Sequence, residues 1–93
     1  MSGLRQLKID IFKKSAIPIK SLMDIHILRA EIMDISGQII SFNTLRRFYG
    51  FLDHTKPSIK TLNKLSIYLG FRSYGNYLDK SSVNSIGSTY NNI

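Results

Sequence analysis

Ser21-Leu22-Met23-Asp24-Ile25-His26-Ile27-Leu28-Arg29-Ala30-Glu31-Ile32-Met33-Asp34-Ile35-Ser36-Gly37 is the stretch on which the fold turns. Ser21 and Asp24 have the spacing of a capping box, with Asp in place of the usual Glu. Leu22, Ile25, Leu28, Ile32 and Ile35 recur at helical spacing, and Gly37 suits the left-handed residue that closes a helix. Met23, Ile27 and Ala30 form a second apolar strip, so the helix is expected to be buried on two sides, central in a small bundle. Its remaining face carries Asp24, Glu31 and Asp34, which would repel phosphate; the helix reads as scaffold.

Downstream, Ser41 can cap a third helix over about 42–52. Stepping about 100° per residue, Phe42, Leu45, Phe48, Tyr49 and Leu52 share one side, and Asn43, Arg46, Arg47 and Gly50 the other. That helix carries no acid. Ser58, after Pro57, can cap a fourth helix of about 59–69, with Ile59, Leu62, Leu65 and Leu69 inward, Lys60, Asn63 and Lys64 outward, and Gly70 closing it. Ser73 can cap a short fifth helix whose Tyr74, Tyr77 and Leu78 would lid the core. Upstream, Leu7-Lys8-Ile9-Asp10-Ile11 alternates like a strand, but Leu4, Leu7 and Ile11 also fit a helical stripe, which is preferred. Residues 81–93, Ser- and Asn-rich and uncharged, read as a flexible polar tail or linker. The expectation is therefore an all-α bundle of about five short helices containing a helix-turn-helix. It forms one domain over 1–80, a basic segment 1–20 followed by a helical core 21–80.

Size and charge narrow the function. Ninety-three residues allow a single domain with a modest core, and 43% apolar residues is a folding composition. With no cysteine, disulfides and thiolate metal sites are excluded. No apolar run of about 18 residues exists to span a membrane, and no secretion signal is visible. The protein is expected to be cytoplasmic, nucleoid-associated if it binds DNA. The net charge of +7 favours a polyanion as partner, nucleic acid first. This charge is uneven. Residues 1–20 hold Arg5, Lys8, Lys13, Lys14 and Lys20 against Asp10, whereas residues 21–40 set Arg29 against three acids. A second basic block follows: Arg46, Arg47, Lys56, Lys60, Lys64, Arg72 and Lys80.

Within that block, Ile40-Ser41-Phe42-Asn43-Thr44-Leu45-Arg46-Arg47-Phe48 resembles the recognition-helix portion of the lambda-repressor-like, or Cro-type, helix-turn-helix family. The segment from Lys56 to Phe71, with its Pro57-Ser58 start, internal Thr61-Leu62 and closing Leu69-Gly70, resembles that family's next helix. The likeness covers about residues 30–80. It departs from the family in the turn Gly37-Gln38-Ile39-Ile40-Ser41, about two residues longer, and in the lengthened link from Gly50 to Lys56. In that family the recognition helix enters the major groove and presents its first residues to base edges. The resemblance implies double-stranded DNA as partner, contacted by Ser41, Phe42, Asn43, Arg46 and Arg47, in a transcriptional regulator. Asn can pair with adenine and Arg with the O6/N7 edge of guanine. Ser41 and the helix start can bind a phosphate, and Lys60 and Lys64 would hold flanking phosphates without specifying sequence. The family often acts as dimers, so a homodimer or larger assembly is in view.

A rival reading keeps the fold but makes the chain a protein-interaction or assembly module. The long turn and the apolar Phe42 where a polar reader is expected support it, as would exposure of Tyr49 and Phe51. RNA binding by the same basic face is a third reading. His26 and His54 lack the companions of a metal site. With neither a Gly-rich phosphate loop nor a Ser/His/acid set, no enzyme, catalytic residue or cofactor is expected. Tyr68 joins Tyr49 and Phe51 as the aromatics with a chance of exposure.

Overall fold

The computed structural model describes residues 3–52 and 56–80. Its elements are helices α1 (Gly3–Ser15), α2 (Leu22–Ser36), α3 (Phe42–Phe48) and α4 (Ile59–Tyr68), with α5 over residues 74–80. The chain is all-α: five helices and no strand among the described residues. None of these helices is long and apolar enough to cross a membrane. The expectations for residues 81–93 and for His54 lie outside the described residues.

Local chemistry sets most of the helix ends. Ser21 accepts from the Asp24 amide while the Asp24 carboxylate accepts from the Ser21 amide, a complete capping box. The same carboxylate accepts from the Lys20 amide at 2.8 Å. That bond foremost, with those from Ser21, holds the Asp24 carboxyl below its usual range against an opposing desolvation effect. A folded pKa below the unfolded one gives stability that is present above the usual value of 3.8 and lost as pH falls through the folded value. In acid unfolding, the wild type should therefore lose stability below about pH 4 more steeply than Asp24→Asn, which cannot ionise. Matching acid limbs would contradict this.

Ser41 and Ser58 cap α3 and α4, accepting from the Thr44 and Thr61 amides at 3.1 and 3.2 Å. Gly37 closes α2 at φ 74°. The third helix is shorter than the 42–52 expected, because Gly50 adopts φ 83° and the backbone turns back on itself. Gly50 N–H donates to Arg47 O and Phe51 N–H to Arg46 O, the paired bonds of a Schellman motif. Gly70 and Phe71 repeat that pattern on Ile67 and Ser66 at the end of α4.

The core gathers Leu7 and Ile11 of α1, Ile25, Leu28 and Ile32 of α2, Ile40 of the turn, and Leu45 and Phe48 of α3. Leu62, Leu65 and Tyr68 of α4 and Tyr77 of α5 complete it. α2 packs against both α3 and α4. It is not buried on two sides, however: Met23 is 65% and Ile27 47% exposed, and Ala30 also faces outward. The core lies on the Ile25/Leu28/Ile32 side, and the second strip is left largely open. Leu22, Met33 and Ile35 share that exposure. Ile59, expected inward, is 62% exposed, and Thr61 and Ser66 take buried positions on α4 instead. Leu78, expected in the lid, is exposed, while Tyr77 is buried and Tyr74 packs half-buried against the core.

Two tyrosines tie distant elements together. Tyr68 is buried, not exposed, and its hydroxyl donates to Glu31 Oε2 at 3.0 Å, joining α4 to α2. Burial first, then that bond, pushes its phenol well above the ordinary value. Tyr77 donates to Asp10 Oδ2 at 2.6 Å, joining α5 to α1. Two of the acids predicted to form a repelling face on α2, Asp24 and Glu31, are thus taken up in structural bonds.

Candidate functional site

The residues singled out around α3 separate into three groups. The first holds the local structure. Ser41 accepts from the Thr44 amide and donates to Thr44 Oγ1 at 2.8 Å, so its hydroxyl serves the helix start rather than standing open to a phosphate. Lys64 does not project freely: it is half-buried and donates to Ile39 O at 2.6 Å, clipping α4 to the α2–α3 turn. Arg29 Nε donates to Ile40 O at 2.7 Å from the other side. The lengthened turn, with Ile40 buried beneath it, is therefore held by two cations. Asn63, likewise expected outward, is half-buried and accepts from the Tyr74 amide at the start of α5.

The second group is a stack. The Phe42 ring lies on His26 with centroids 4.1 Å apart and planes within 6°. The Arg46 guanidinium lies 5.2 Å from the same Phe42 ring. Phe42 thus fastens the first turn of α3 to α2, which accounts for an aromatic where a polar reader was expected. Arg46 is drawn along the helix and donates from Nη2 to Asn43 Oδ1 at 2.7 Å. Its Nε is buried with no partner among the described residues.

The third group is a basic groove. Arg47, Phe48, Lys56 and Pro57 line two adjoining clefts; Thr44, Ser58 and Thr61 complete one, and Leu4, Lys8 and Gly50 the other. Among the described residues no carboxylate lines either cleft. Lys8 comes from α1, its Nζ lying 5.2 Å from the Phe48 centroid and 5.7 Å from that of Tyr49. Those rings hold the lysine ammonium itself against the groove wall by cation–π attraction. Burial raises the Tyr49 phenol pKa, keeping it neutral beside the cations. Cations from α1, α3 and the α3–α4 link therefore converge on one surface.

Arg47 is among the residues the family resemblance implies, whereas the sequence gives Lys8 and Lys56 only as members of its two basic blocks. Neither has a local signal, since each becomes relevant only when folding sets it beside Arg47. Lys60 is exposed on the first turn of α4, and Phe51 is exposed beyond Gly50. A search of family models, curated proteins and solved structures finds no match for the chain.

Proposed function

We propose that the protein binds duplex DNA, gripping the phosphate backbone with the groove of Lys8, Arg47 and Lys56 while α3 lies toward the bases, as a small transcriptional regulator would. The observation that carries this reading is the convergence of cations from three elements on one groove. Phosphates are recognised by such clusters, and arginine and lysine at hydrogen-bond reach supply most of the affinity. Lys60 extends the basic surface along α4. Lys64, held to the turn, acts as a support for α3 and not as a phosphate contact.

The test is fluorescence anisotropy with a labelled mixed-sequence duplex at low salt. Wild type should bind, and Arg47→Ala/Lys56→Ala should weaken binding on the order of tenfold or more while keeping its helical circular dichroism. A double variant that binds as tightly as wild type would sink the proposal.

A second reading is favoured by one specific observation: the outer face of α2, where Met23, Ile27, Ala30 and Met33 are exposed beside Ile39. Such an apolar face is a feature of surfaces that dock other proteins. On that reading the chain is an interaction module. Ile27→Glu would then abolish partner capture and leave DNA affinity untouched.

A further inference from the structure

The Asn43–Arg46 bond bears on which base the α3 surface would accept, given the DNA-binding reading on which this rests. Asn43 is exposed on the first turn of α3, where its carboxamide could in principle read adenine by donating to N7 and accepting from the N6 amino group. Here Oδ1 already accepts a charge-assisted bond from Arg46 at 2.7 Å. A guanidinium seated on that oxygen places positive charge where the adenine amino group would have to come. Arg46 cannot easily withdraw, because its plane lies over Phe42, which is itself stacked on His26. What the pair leaves open is the Asn43 Nδ2 amino group and the remaining N–H groups on Arg46 Nη1 and Nη2, all of them donors, with the second Oδ1 lone pair lying beside the guanidinium charge.

We infer that Asn43 and Arg46 act as one pre-assembled reading unit, dominated by donors, that selects guanine, through its N7 and O6 acceptors, and disfavours adenine and cytosine, which present amino groups in the major groove. The chemistry differs from that of two independent readers. An unpaired Asn43 would favour adenine and an unpaired Arg46 guanine, giving a mixed preference; the bonded pair has a single one. His26 and Phe42 are positioning residues in this scheme, since they hold the guanidinium in line with Asn43.

The experiment is selection from a pool of duplexes randomised over one helical turn, followed by affinity measurements on the enriched duplex with each base in turn at the preferred position. Wild type should enrich guanine there and lose roughly 5- to 150-fold in affinity when it is replaced by adenine. Asn43→Asp, which keeps the acceptor for Arg46 but replaces the Nδ2 donor with a second acceptor, should weaken the guanine preference and admit cytosine, whose amino group an acceptor can meet, while keeping its helical circular dichroism. Enrichment of adenine, or salt-sensitive binding with no base preference, would overturn the paired-reader inference and leave DNA binding standing. Failure to bind any duplex in a salt-sensitive way would overturn both.

Discussion

Leu65→Ala is expected to lower the stability of the folded chain by about 2–5 kcal/mol. Leu65 is fully buried in the cluster that joins α1, α2, α3 and α4. Truncating it removes apolar contact and leaves a cavity that the surrounding rings and branched side chains can only partly fill. A domain of this size has a total stability of only about 5–14 kcal/mol, so the loss is a large share of the whole. The melting temperature should fall by on the order of 10 °C or more. Ile59→Ala, six residues earlier on the same helix, provides the control. Ile59 is exposed, and its truncation should stay within about 0.5 kcal/mol. Equal losses from the two substitutions, measured by chemical denaturation, would mean that the described face of α4 is not the buried one.

The second large effect is on DNA affinity. If Lys8, Arg47 and Lys56 each neutralise one phosphate, three condensed counterions leave the duplex on binding. The association constant should then fall with a log–log salt slope of about −2.7. Raising monovalent salt from about 50 to about 200 mM should weaken binding by about 40-fold. A protein docking surface built on the apolar face of α2 would show no such dependence, since burial of apolar area is little affected by screening. The size of the fall therefore separates the two functional readings.

How much of this was legible in the sequence depends on whether the determining contacts are local. The start and end of α2 were readable because a capping box and a left-handed glycine act within four residues. The caps of α3 and α4 were readable for the same reason. The end of α3 was misplaced because Phe51 and Leu52 continue its apolar pattern; Gly50, with its positive φ, overrides them. Alternation in Leu7-Lys8-Ile9-Asp10-Ile11 left α1 ambiguous, and only packing resolves it: Leu7 and Ile11 are buried and Ile9 is exposed. The end of α1 lacks a glycine cap, because its residue in the left-handed region is Ala16, and Pro18 two residues on is the local mark that the helix has stopped.

The candidate site was less legible than the fold. Arg46 and Arg47 are neighbours on one helix, yet tertiary contacts give them different roles. Arg46 is held by Phe42 and Asn43, while Arg47 faces a groove shared with α1. Likewise Lys60 and Lys64 form the same i,i+4 pattern, but only Lys64 comes within reach of the Ile39 carbonyl, through a turn that no periodicity argument would place there. The second apolar strip of α2 was assigned to the core because its hydrophobicity is genuine; pattern alone does not reveal whether a neighbouring helix exists to cover it.

The proposed grip of the Lys8, Arg47 and Lys56 groove on duplex phosphates is decided by comparing the log–log salt slope of wild type with that of Arg47→Ala/Lys56→Ala on the same duplex. The predicted result is a slope smaller in magnitude by about 1.8 in the variant, the contribution of two phosphate contacts. An identical slope in the two proteins, or wild-type binding that ignores salt, would contradict it.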